Sequence, residues 1–443
     1  MGSIWSGLKT IVLRIRTSFL LVPLLFAFGG LGLSVLTVWL DRSGLVSGLV
    51  KLIPGIGIDE EGARSVFSTI ASGMLSVTGI VISLTFLALT MMSSQLGPRL
   101  LVFFMRDRTI KIVFGIFVGT IIYSLISMAS VGMRGDATFA PHLTFAVSIL
   151  LALVSLGAMV HFVDHIAHSM QADVVVEQLA RDCDAAIGRA IRDDDTDASP
   201  TEEEAAAFAT RFGKDPHRWE ATRSGYLASV DYEDLIAAAK DHDAAVALYF
   251  RVNDFVFDGQ ILAAFLCDDD RVDAIREALE NTIALSASRT PAQQINFEMS
   301  ALTEVALRAL SPGINDPFTA AACVNHLGNT LSRIATAAPK LRLLKDGDGE
   351  FRVLRPADNL PFFLDRCIAP IIEAAEGSPI ALHSLIRTLN RLAELAHREI
   401  DVETVARQRE ALRRTIAESI QHPTERSRQL AMIDPDPDDL PPV

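Results

Sequence analysis

The chain has 443 residues, half of them hydrophobic, and a formal net charge of −14. That acidic balance, with no basic patch, excludes an ordinary nucleic-acid partner. The apolar residues cluster in four long runs between positions 18 and 165, whereas 170–443 has the composition of a soluble acidic domain, so the expectation is an α-helical integral membrane protein.

Residues 1–17 set Lys9, Arg14 and Arg16 among Trp5, Leu8, Ile11, Val12 and Ile15, a basic amphipathic segment suited to a membrane surface. The first span is expected at 18–40, with Pro23 in its opening turns, where a missing N–H costs little. It is longer than a signal-peptide core and no small-x-small cleavage site follows, so it is read as retained. The 41–64 connection is slightly acidic, and its short apolar stretch Ile53 to Ile58 reads as an interfacial turn.

The second span, expected at 66–92, is unusually rich in hydroxyls. Ser65, Thr69, Ser72, Ser76, Gly79, Ser83, Thr90 and Ser94 fall on one stripe, interrupted by the bulky Phe86. A small hydroxyl-bearing stripe has two uses: it lets another helix backbone approach closely, or it faces water in a pore. Lipid or neighbouring helices can solvate the remaining Ile, Leu and Val side chains.

After this span come Arg99, Arg106, Arg108 and Lys111 against Asp107. The third span, 112–133, contains Gly115-Ile-Phe-Val-Gly119, a spacing that favours close helix packing. A turn through Gly135, Asp136 and Pro141 leads to the fourth span, 142–163. Basic residues favour the cytoplasmic side, which puts the N-terminus, the 97–111 loop and everything after the fourth span there. None of the spans carries an acidic or basic group of the kind proton-coupled transporters use.

At the edge of the fourth span, His161, Asp164, His165 and His168 share one helical face. This set suits a divalent transition metal, a pH sensor, or a polar collar where a helix leaves the bilayer. The helix is expected to run on unbroken to Arg192, so 166–222 is read as a helical extension with an acidic linker, Asp193 to Glu204. A small β-rich subdomain follows at 223–268, with strands at 225–230, 245–252 and 259–266 and a helix capped by Asp231. Residues 269–420 read as mainly helical, interrupted by a hairpin with Asp-Gly turns at 341–354, and 421–443 as a disordered tail. Between two of these helices, Ser311-Pro-Gly-Ile-Asn-Asp-Pro317 supplies helix punctuation: Gly313 for a C-terminal cap, Asp316 for an N-cap, Pro317 for the first helical position. Asn315 and Asp316 are also placed to meet a ligand or partner.

No Gly-rich phosphate loop, nucleophile elbow or HExxH motif is present, so an enzyme is not expected, and no cofactor is implied beyond the metal option at the membrane edge. Cys183, Cys267, Cys323 and Cys367 form no CxxC pair and are read as free thiols in a reducing compartment.

Three strings, Ser93-Ser-Gln-Leu-Gly-Pro-Arg-Leu-Leu101 with Phe104-Met-Arg-Asp107, Phe117-Val-Gly-Thr-Ile-Ile-Tyr123, and Ala309-Leu-Ser-Pro-Gly-Ile-Asn-Asp-Pro317, resemble a family of bacterial predicted membrane proteins, domain of unknown function 2254. The likeness runs from the first span to about residue 420. It implies four spans, a cytoplasmic domain and no established activity. The expectation is therefore a multi-pass protein of the bacterial inner membrane with both termini cytoplasmic, a homo-oligomer in lipid. It would form or regulate a path for ions or small solutes, the second span lining it and Phe86 narrowing it. The alternative is a membrane-anchored sensor or scaffold whose cytoplasmic domain binds a ligand or protein partner.

Overall fold

The computed structural model describes residues 20–43, 59–95, 97, 107–131, 141–192, 202–213, 215–287, 295–336, 343–356 and 358–433. The expected amphipathic segment 1–17, the 53–58 turn, the Asp193–Asp197 run and most of the basic loop lie outside these residues. The chain divides after Val175 into two compact units.

The first unit contains four helices, α1 (Leu21–Ser43), α2 (Glu60–Gln95), α3 (Arg108–Ser130) and α4 (His142–Ser169), each long and apolar enough to cross a membrane. Their order and number are as expected; α2 begins earlier and α4 ends later than the apolar runs alone indicate. The central helix is α3, which packs against all three others and is the most buried. The α1–α3 contact depends on glycine. A methyl group at Gly30 would lie 2.3 Å from the carbonyl oxygen of Gly119, and one at Gly115 would lie 2.6 Å from the Phe26 ring. The Gly115/Gly119 pair thus works against α1, with Gly30 as its complement.

Hydroxyls tie the same helices together where no water competes. Ser34 bonds Ser127 at 2.9 Å and Thr37 bonds Tyr123 at 3.0 Å. The Tyr123 hydroxyl donates to the Thr144 carbonyl at 3.0 Å, and Thr120 meets Ser155 at 2.9 Å. Helix α4 starts at Pro141, which offers no side-chain cap. Asp41, at the end of α1, fills that role: its carboxylate accepts the N–H of Leu143 and of Thr144, both at 2.9 Å, and the Thr144 hydroxyl at 2.8 Å.

The unbroken helix expected from the fourth span to Arg192 is not found. Met170 donates to Ile166 and Gln171 to His168, a tightened last turn that closes α4, and α5 (Ala172–Arg192) begins anew.

Among its described residues the second unit holds two sheets. The larger has the order β1-β5-β3-β8-β7, from strands His217–Glu220, Ile261–Leu266, Ala245–Leu248, Phe351–Leu354 and Leu343–Lys345; the smaller has β4-β2-β6, from Phe255–Val256, Gly225–Val230 and Ile283–Ser286. Among the described strands all pairings are antiparallel except β3 with β8, where Val246 sits beside Val353 and Ala247 beside Leu354. Along β3 the side chains alternate. Val246 and Leu248 join Trp219, Phe265 and Val353 beneath α7 (Tyr232–Asp241) and α8 (Val272–Thr282), while Ala245 and Ala247 join Phe208, Leu343 and Leu354 under α6 (Glu202–Thr210).

The β-rich region is therefore not confined to 223–268. The 341–354 hairpin, expected as an interruption among helices, supplies β7 and β8, because a lone hairpin has no apolar surface to bury against. Helix α8 also ends at Thr282, and Ile283–Ser286 adds a strand beside β2 within the stretch expected to be helical. Asp231 does cap α7, accepting the N–H of Asp234.

The remaining helices are α9 (Ile295–Ala309), α10 (Pro317–Thr336), α11 (Leu360–Phe363), α12 (Ala369–Ala374), α13 (Pro379–Leu395), α14 (Glu399–Ser419) and α15 (Pro423–Ile433). A π-helical stretch, Leu364–Ile368, joins α11 to α12. The last helix corrects the expected tail. Gln429 donates to the Pro379 carbonyl, Asn390 to that of Met432, and Ile433 is buried. Residues 434–443 lie outside the described chain.

Candidate functional site

The face that α2 turns toward its own bundle is Ala63, Phe67, Ala71, Met74, Thr78, Val81, Thr85, Ala88 and Met92, spaced three and four apart and all buried. At 3.6 residues per turn, the stripe of Ser65, Thr69, Ser72, Ser76, Gly79, Ser83, Thr90 and Ser94 lies on the opposite side of the helix. Every one of these residues is exposed. None of the serines is plugged against α1, α3 or α4 of its own chain. Phe86 projects from the edge of the stripe, 66% exposed.

Within the chain, six of the hydroxyls donate to their own helix. Thr69 donates to the Ser65 carbonyl at 2.8 Å, Ser76 to Ser72 at 3.1 Å, Ser83 to Gly79 at 3.0 Å and Thr90 to Phe86 at 2.8 Å, with Ser72 and Ser94 bonding back one turn in the same way. Their protons are satisfied within the helix, and a hydroxyl that donates keeps the capacity to accept from water or a neighbour's donor. Outside its own stretch of helix, Gly79 has no described atom within 4 Å of where a methyl group would be, so packing on the other helices does not account for it.

The other two outer helices differ. On α1 the exposed side chains include Leu24, Leu25, Phe28, Val35 and Trp39; on α4 they include Leu150, Leu153, Leu156, Val160 and Val163. Those are surfaces that hydrocarbon solvates well. The hydroxyl face of α2 is the exception among the three.

At the end of α4 the histidine set does not converge. His165 turns inward and its Nε2 lies 2.6 Å from Asp107 Oδ2, while Asp107 Oδ1 caps α3 through the N–H of Thr109 at 2.7 Å. His161, Asp164 and His168 are exposed, and His168 Nδ1 lies 2.9 Å from the Asp164 carbonyl oxygen. Among the described residues no three His, Cys, Asp or Glu side chains are placed to hold an ion. The metal expectation is corrected accordingly: the four share a helical face, but His165 is committed to the Asp107 that caps α3, and the other three stay exposed.

In the 311–317 turn, the left-handed residue is Asn315 (φ 50°), not the expected Gly313. Asp316 caps α10, accepting the Thr319 N–H at 3.1 Å and its hydroxyl at 2.6 Å. Ile314 and Phe318 flank the turn, and Phe318 is 71% exposed. All four cysteines are free thiols; Cys183, Cys323 and Cys367 are buried and Cys267 is half-buried. Burial pushes the Cys323 thiol up to about 12 and that of Cys367 to about 11.

Two structural carboxylates escaped the sequence reading. Asp107 entered it only as a countercharge in a basic loop, although Asp-x-Thr before a helix is a capping signal. Asp41 gave no local signal, because its helix starts a hundred residues later.

Residues 16–391 match the family described as predicted membrane protein, domain of unknown function 2254, and the chain belongs to that family. Similar proteins include the uncharacterized protein Mb1321c of Mycobacterium bovis and the uncharacterized protein Rv1290c of Mycobacterium tuberculosis. Each is 31% identical, over 80% of this chain and 69% of its own length. No solved structure matches the chain.

Proposed function

We propose that this membrane protein is a homo-oligomer of the bacterial inner membrane, with both termini in the cytoplasm, in which α2 of each copy turns its hydroxyl stripe toward a shared axis. The stripe lines a path for ions or small solutes, Phe86 narrows it, and the C-terminal domain assembles or gates it. The reading is carried by one observation: the hydroxyl face of α2 is opposite the face that packs on its own bundle, and it is the hydroxyl-bearing exception among outward faces that otherwise carry large apolar side chains, Leu75, Ile80 and Leu87 of α2 included. Helix α3 packs against all three others and occupies the middle of the bundle, where a path through one chain would have to run.

The test has two readouts on the full chain. Ser76→Cys is expected to cross-link between copies in native membranes, and liposomes holding the protein should pass ions faster for Phe86→Ser than for the parent. A monomer in mild detergent with no Ser76→Cys cross-link removes the shared axis. Cross-links without flux from either form leave an oligomer that is not a conduit.

The exposed pair Ile314 and Phe318 beside Asn315 favours a second reading, a membrane-anchored scaffold that docks a partner on this turn.

A further inference from the structure

Strands β3 and β8 are the only parallel neighbours among the described strands, and their carboxyl ends open on the same side of the sheet. A cavity of about 400 Å³ lies there. Tyr249 and Arg251 come to it from the end of β3, Arg355 and Pro356 from the end of β8, and Asn359 from the start of α11. Ala209 and Phe212 close it where α6 leaves the sheet. Carboxyl ends of parallel strands are a recurrent place for ligands in sheets covered by helices, and the volume falls in the range of small-molecule sites.

The lining is notable for its charge. In a chain of net charge −14, two guanidinium groups line this cavity, and no carboxylate does among the described residues, Asp358 standing behind Arg251. Arg251 is held in place before any ligand arrives: its guanidinium lies 4.0 Å from the centre of the Phe362 ring, and its Nε is 3.2 Å from Asp358 Oδ1. Arg355 lies 5.1 Å from the centre of the Tyr232 ring. Stacked guanidiniums lose little freedom when they bind an oxyanion, and their planar forks match phosphate oxygens. Asp358 balances part of the Arg251 charge, and the positive charge that remains suits a phosphate monoester, which carries about −1.5 to −2 at neutral pH. Phe212, Leu248 and Leu354 offer apolar wall to the rest of such a molecule.

We propose that this cavity binds a small organic phosphate of about nucleotide size, its phosphate met by Arg251 and Arg355 and its body by the apolar wall. The site is complete within one chain, so it stands whether or not the spans form a conduit.

The test is calorimetric titration of the detergent-purified full chain at low salt with adenosine monophosphate, inorganic phosphate and citrate. Saturable binding of the nucleotide is expected, at least tenfold tighter than inorganic phosphate or citrate. Arg355→Gln should weaken it tenfold or more. Ala209→Phe, which fills the cavity without changing a charge, should do the same, and it decides the matter should Arg355→Gln fail to fold. No saturable nucleotide binding at 1 mM overturns the proposal, as does unchanged affinity in a folded variant. Citrate binding in place of the nucleotide overturns the phosphate assignment, and equal affinity for inorganic phosphate overturns the role of the wall.

Discussion

Asp41 accepts the backbone N–H of Thr144, 103 residues further along the chain, at 2.9 Å, and so caps a helix to which it does not belong. Asp41→Ala should therefore destabilise the bundle by about 1–2 kcal/mol, the usual cost of a lost cap. Asp41→Asn, which keeps an acceptor, should lose less. Thermal unfolding in detergent reads both, and equal melting of parent and Asp41→Ala would show that the cap contributes nothing.

The Gly30–Gly119 approach predicts a contrast between two glycines. Gly30→Ala must push α1 off α3 and should cost about 1–3 kcal/mol. Gly73→Ala, with no atom within 4 Å of the new methyl group, should stay within about 0.5 kcal/mol of the parent. The same melting assay ranks them, and a neutral Gly30→Ala would contradict the packing described.

Maleimide should label one thiol per folded chain at pH 7, Cys267, and four after denaturation. Cys183, Cys323 and Cys367 are buried, and burial raises their pKa, so the reactive thiolate is scarce as well as shielded. Mass spectrometry of the labelled protein checks the count; early labelling of Cys323 or Cys367 would mean the helical core opens readily.

Asp346 anchors the β7–β8 turn, accepting the N–H of Asp348 at 2.9 Å, that of Glu350 at 3.1 Å and Nε of Arg352 at 2.9 Å. The Arg352 hydrogen bond, before the backbone donors, holds this carboxyl below the ordinary carboxylate range. A depressed pKa stabilises the fold above the unfolded value, about 3.9 for Asp, and that contribution drains away as pH falls toward the native value. Asp346→Asn should thus be less stable than the parent at pH 7 and show a shallower loss below about pH 4. Parallel stability curves for the two proteins over that window would refute the assignment.

Much of the membrane half was legible because a span announces itself by length and apolar content, and the hydroxyl stripe by its spacing. Its direction was not legible: Ser76 and Met74 sit two residues apart, and only packing decides which faces α3. In the second unit, Asp231, Asp316 and the strand Gly225–Val230 were readable because capping and alternation are local. The pairing of β3 with β8, and with it the cavity at Arg251 and Arg355, was hidden, since nothing near Val246 points to Val353. The histidines misled for a related reason: they share a helical face, but Asp107, the group that claims His165, comes from another helix.

The placement of β8 also matters during synthesis. Strand β3 leaves the ribosome with one side unpaired, and its partner is made roughly a hundred residues later, on the order of 5–20 s at ordinary translation speeds. For that interval the Ala245–Leu248 backbone is an open apolar edge of the kind that recruits other chains. Nascent chains stalled before Phe351 should therefore be the aggregation-prone species in a cell making this protein, and chaperone demand should peak before the hairpin emerges.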